Sequence, residues 1–153
     1  MKTKTFCLGD VLSITTGRLV SPRHIQGVYD ILNFMTGDNL FTHQLPRAME
    51  ECAPFLLKQF PELEQAGSVK SIARLDELLS DAKHRKEPPE NAITMWLKWM
   101  AEPGTCNLKE KYKVAQIPPE AHQIKSPIAE LAEKINPKKV VVVNLGSGAG
   151  KTN

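Results

Sequence analysis

The feature that most constrains this chain is an apolar stripe with sharp ends. Ile25, Val28, Tyr29, Leu32 and Met35 recur at spacings of three and four, the period that lines one face of an α-helix. Ile31 and Phe34 widen the stripe. Ser21-Pro22 reads as an N-cap followed by proline at the first helical position, and Gly37 as the stop. A helix near 22–36 that is apolar over so wide an arc has to be covered on more than one side, so the rest of the chain is expected to pack around it. Gly27 inside it costs about 1 kcal/mol relative to alanine, which is tolerable where other backbone approaches closely.

Directly after Gly37 the chain turns polar, with Asp38, Asn39, Thr42, His43, Gln44 and Arg47 in a short span, while Leu40 and Phe41 are expected to plug back into the core. A histidine, an acid and an arginine together can move protons or hold an anion, because histidine titrates near neutrality and arginine offers a fixed fork of donors. A structural reading competes. Asp38 and Asn39 can satisfy the turn backbone, Thr42 or Gln44 can cap a helix beginning at Pro46, and His43 can be a hydrogen-bonded structural side chain. The structural reading is preferred, so Asp38, Asn39, His43, Gln44 and Arg47 stand as interaction candidates and none is assigned as catalytic.

The remaining chain alternates short helices with three strand-like runs. TKTFCL reads as an edge strand, and Asp10 as the cap of a brief helix that Gly17 ends. RAMEECAPFLLKQF keeps helical spacing, but Pro54 predicts a kink or two short helices. PELEQAGS reads as a loop. Ser71 opens a further helix over Ile72, Leu75, Leu78, Leu79 and Ala82, and Asn91 caps another whose face is Ile93, Trp96, Leu97 and Met100. Trp99 falls off that face and is a candidate contact residue. KYKVAQI alternates as a strand; Pro127 starts a helix carrying Ile128, Leu131, Ala132 and Ile135; VVVV, at 140–143, reads as a buried strand. The fold class is therefore mainly α (α+β), a helical domain over 1–144 with a small sheet from the N-terminal and C-terminal strands, and 145–153 forms a glycine-rich tail.

Several function classes lose support on composition. A net charge of +3 is too mild to require nucleic acid, although eight Lys against four Glu from Thr105 onward and the cluster Lys83, His84, Arg85 and Lys86 could touch phosphates. Solvated loop faces are the commoner explanation. Cys7, Cys52 and Cys106 are three and far apart, and His24, His84 and His122 are scattered, so neither a disulfide framework nor a metal site is indicated. A reducing cytoplasm is the expected compartment. No apolar run spans a bilayer, so no membrane association is expected. The tail LGSGAGKTN resembles a phosphate-binding loop through Gly148, Gly150 and Lys151, but the first glycine falls one residue late, at Gly146, and no helix follows the lysine. No cofactor signature is complete, and an enzyme is the less favoured reading.

The stretches GDVLSITTGRLVSP and GVYDILNFMTGDNLFTHQLPRA, with ECAPFLLKQFPEL after them and IPPEAHQIKSPIAEL later, resemble a family of small uncharacterised proteins carried by bacteriophages and prophages of enteric bacteria. That resemblance implies an accessory protein acting stoichiometrically on a host or defence-system protein, in the manner of an anti-CRISPR inhibitor. Two other readings stand beside it. A small enzyme or nucleotide binder centred on His43 and Arg47 or on Lys151 predicts thermal stabilisation by phosphate ligands. A nucleic-acid-binding protein predicts steep salt dependence.

Overall fold

The structure is a computed structural model that describes residues 2–135. Strand β1 (Thr3–Cys7) leads directly into α1 (Leu8–Thr16); α2 (Ile25–Thr36), α3 (Leu45–Gln59), α4 (Val69–His84) and α5 (Pro89–Ala101) follow, then β2 (Lys111–Ala115) and α6 (Pro127–Ile135). Three 3₁₀ turns lie between them, at Thr42–Gln44, Pro61–Gly67 and Pro119–Ala121. Strands β1 and β2 pair antiparallel in a two-stranded sheet, with Phe6 opposite Tyr112. The architecture is thus mainly helical with a small sheet joining the two ends of the described chain, as periodicity predicts. The strand expected at 140–143 and the tail from 145 lie outside the described residues.

Helix α1 shares the centre with α2. Every residue from Leu8 to Ile14 is buried, and α1 touches β1, α2, α3, the 61–67 turn and β2. Glycine at position 17 ends α1 at φ 73°, as expected of a left-handed stop. Asp10 does not cap this helix. Cys7 holds the cap position, and Asp10 lies buried in the first turn, accepting from Ser21 Oγ at 2.5 Å and Arg23 Nη2 at 2.7 Å. Ser21 also accepts the Arg23 backbone N–H, so it closes the Pro22–His24 turn, and α2 begins at Ile25. Gly27 sits where α2 crosses this cluster. A Cβ there would run into Ser21 Oγ and Asp10 Oδ1, so the close approach that makes room for glycine comes from side chains.

Val28, Ile31, Leu32 and Met35 are buried as the stripe predicts, whereas Ile25 at its start is exposed. Helix α3 runs unbroken through Pro54, which faces solvent and leaves the Glu50 carbonyl to water. The segment read as a loop is a 3₁₀ turn that buries Leu63 and Ala66, three residues apart as that helix repeats. Ser68, and not Ser71, caps α4 by accepting the Ser71 N–H; Ser71 is buried against α5, where its carbonyl accepts from Trp96 Nε1 at 3.0 Å. Helix α5 begins at Pro89, ahead of Asn91, because proline suits the first helical position.

Gln59, at the end of α3, brackets Ala115 on the outer edge of β2, accepting its N–H and donating to its carbonyl. Beyond β2 the chain is tied to the end of α2, where the Ile117 N–H donates to the Met35 carbonyl and Gln116 Nε2 to the Phe34 carbonyl. These bonds deliver residues 119–135 to the mouth of the polar turn.

Candidate functional site

The polar turn is built by the stop of α2 and the start of α3. Gly37 reverses the chain at φ 71°, Thr36 Oγ1 and Asp38 Oδ1 accept the backbone N–H groups of Asp38 and Asn39, and Leu40 drops into the core. Phe41 does not follow it and is 55% exposed. Gln44 Oε1 accepts the Phe41 N–H, which closes the 3₁₀ turn. The Tyr29 hydroxyl and Thr42 Oγ1 hydrogen-bond across the same turn.

Residues 119–135 form a strap across this turn and the adjoining face of α3. Arg47 is the hub. Its Nε and Nη2 donate at 2.8 Å to the two oxygens of Glu130, and its Nη1 reaches Glu51 Oε2 at 2.8 Å and the Gln123 carbonyl at 2.7 Å. Gln44, 1% exposed, donates to Glu130 Oε1 and to the Lys125 carbonyl. His122, 8% exposed, stands between two acids, with Nδ1 2.5 Å from Glu51 Oε1 and Nε2 2.8 Å from Asp38 Oδ2. A ring nitrogen of His43 lies 2.5 Å from the Pro127 carbonyl. The bidentate fork and the buried carboxylates make these charge-assisted bonds among the stronger contacts available to a protein.

The electrostatics follow from the geometry. The Glu130 carboxylate, with Glu51 behind it, holds the Arg47 guanidinium well above its ordinary range. Hydrogen bonding from His122 holds the Asp38 carboxyl below its usual value, against its partial burial. For Glu51 burial pushes upward, but His122, the Gln123 N–H and Arg47 together leave it lowered. Burial alone would depress His122; Glu51 and Asp38 outweigh it and raise the ring above the ordinary histidine value.

Of the candidates read from sequence, Asp38, Gln44 and Arg47 meet in one network, His43 sits at its edge, and Asn39 is exposed beside it. Trp99 belongs elsewhere. It is half-buried on α5 and lines a hollow of about 200 Å³ with Ser68, Lys70 and Cys106. Gly148, Gly150 and Lys151 lie outside the described residues. Glu51, His122 and Glu130 were not among the candidates. Glu51 is four residues beyond Arg47 and could be found as a helical ion pair, whereas His122 and Glu130 carry no local signal. All three cysteines are free, and burial pushes the Cys52 thiol up to about 12, which keeps it protonated. Among the described residues no group of three His, Cys, Asp or Glu side chains is placed to hold a metal ion, and no helix is long and apolar enough to cross a membrane.

Residues 6–66 match DUF7736, a domain of unknown function. The DUF7736 region takes in the end of β1, all of α1, α2 and α3, and most of the 61–67 turn, and so contains Asp38, Gln44, Arg47 and Glu51. His122 and Glu130 come from outside it, so the network fastens the later strap to the DUF7736 region. No curated protein and no solved structure matches the chain.

Proposed function

We propose that this protein works by stoichiometric binding to another protein, and that the strap and the turn beneath it form the contact face. The observation that supports this reading is the side chains left outside the network. Ile124 is 84% exposed and Ile128 81%, Leu131 is exposed one helical turn further along α6, and Phe41 packs edge-on against His43, which itself bonds the strap at Pro127. Helix α6 is amphipathic in the reverse of the usual sense. Glu130 points into the protein, and Ile128 and Leu131 point out. Grouped exposed apolar residues on a rigidly held support are the ordinary mark of an interaction surface, where aromatic and branched anchors contribute most of the binding energy.

The partner class follows from the resemblance to phage and prophage accessory proteins, which points to a host or defence-system protein and to an inhibitor of anti-CRISPR type acting in the bacterial cytoplasm. The polar turn is a scaffold in this reading, and Asp38, Gln44 and Arg47 act by holding the strap in place. The test is affinity capture from an enteric host cytoplasm with the wild-type chain and with Ile128→Glu, whose far-ultraviolet circular dichroism is expected to be unchanged. The proposal expects a host protein recovered in near-equal amount by the wild type and depleted at least tenfold by Ile128→Glu. Recovery of no partner, or equal recovery by both chains, contradicts it.

A further inference from the structure

We infer that the strap grips α3 fully only while His122 carries its proton. Both ring nitrogens of His122 meet carboxylates, which are acceptors only, and a neutral imidazole has a single N–H to donate. The imidazolium satisfies Glu51 and Asp38 together. Deprotonation turns one ring nitrogen into a lone pair facing a carboxylate at hydrogen-bond distance.

The charged groups described around the ring are already engaged with one another. Asp38 comes from the turn after α2, Glu51 and Arg47 from α3, and Glu130 from α6. With the imidazolium in place, Asp38 and Glu51 each bond a cation. Without it, the cation that still acts on Asp38 and Glu51 among the described residues is Arg47, whose donors already serve Glu130, Glu51 and the Gln123 carbonyl. Glu51 Oε2 also accepts the Gln123 N–H at 3.0 Å, so a loosened Glu51 slackens the strap next to His122 itself.

The direction in pH follows from the raised pKa of the ring. A group raised on folding contributes fully below its unfolded value, about 6.5 for histidine, and its contribution is lost as pH rises through the folded value. Asp38 and Glu51 are lowered and stay charged throughout that window. Grip is therefore strongest on the acid side of the window and weakens on the alkaline side.

Amide hydrogen exchange on the full chain between about pH 6 and pH 9, corrected for the intrinsic rise of exchange with pH, reads this without any partner. Protection of the Gln123 N–H is expected to fall about tenfold through a single titration, as loss of one charge-assisted hydrogen bond requires. The ring resonances of His122 should titrate with the same midpoint. Asp38→Asn keeps an acceptor for the Asn39 N–H but removes one charge facing the ring, and should move that midpoint to lower pH. Protection that stays flat across the range, a midpoint unmoved in Asp38→Asn, or a His122 ring titrating below the ordinary histidine value each overturns the inference. If the strap carries the binding face proposed above, affinity for a partner follows the same titration. A failed capture and a flat exchange profile remain separate results.

Discussion

At the scale of single residues, two positions in the DUF7736 region do work that their residue types alone conceal. Gly27 is unfavourable in an isolated helix, yet it clears the space in which Asp10, Ser21 and Arg23 bond to one another. Gly27→Ala should gain about 1 kcal/mol of helix propensity and lose more by displacing Ser21 from the buried Asp10. The net expectation is destabilisation by about 1–3 kcal/mol, measured by urea unfolding; an unchanged or raised midpoint would show that the crossing is looser than described. Arg47 is the second. Its position in a polar turn is visible in the sequence, and so is Glu51 four residues on. The partners that decide its role are not, because His122 lies 71 residues from Glu51 and Glu130 lies 83 residues from Arg47. Nothing local in a sequence records a contact of that range.

At the scale of elements, what could be read was what repeats. The α2 stripe, the faces of α4 and α5, and the runs that become β1 and β2 are periodic and bounded by proline, glycine or capping residues, and the structure places each of these. Boundaries shifted where a nearby cap or turn competed, as at Ser21 and Ser68. The 61–67 turn escaped because Glu62, Glu64 and Gln65 make it look like solvated loop, while its buried pair, Leu63 and Ala66, is too short a pattern to stand out. Helix α6 reads as an ordinary amphipathic helix, but Arg47 and Gln44 draw Glu130 inward and turn Ile128 out. In α3 proline does not break the helix, since its neighbours on either side pack and Pro54 itself faces water. Pro54→Ala restores a donor for the Glu50 carbonyl and removes a clash, and should stabilise the protein by about 2 kcal/mol after allowing for the freer unfolded chain. Thermal unfolding checks this; a lower midpoint would mean that the proline sets a bend the fold needs.

At the scale of the whole molecule, the chain is organised around a joint. The early helices supply Asp38, Gln44, Arg47 and Glu51; the late strap supplies His122 and Glu130 together with the backbone of Gln123, Lys125 and Pro127. Such a joint fixes which face of α6 is outward and couples that choice to charge. Removing one member breaks a buried ion pair, which typically costs about 3–5 kcal/mol, whereas removing both partners of a pair costs less than the sum. A double-mutant cycle on Arg47 and Glu130, with each replaced by alanine alone and together and stability read by urea unfolding, therefore tests the joint most directly. A coupling of about 2 kcal/mol or more is predicted; additive losses, with coupling near zero, would mean that the strap is held by something other than this network.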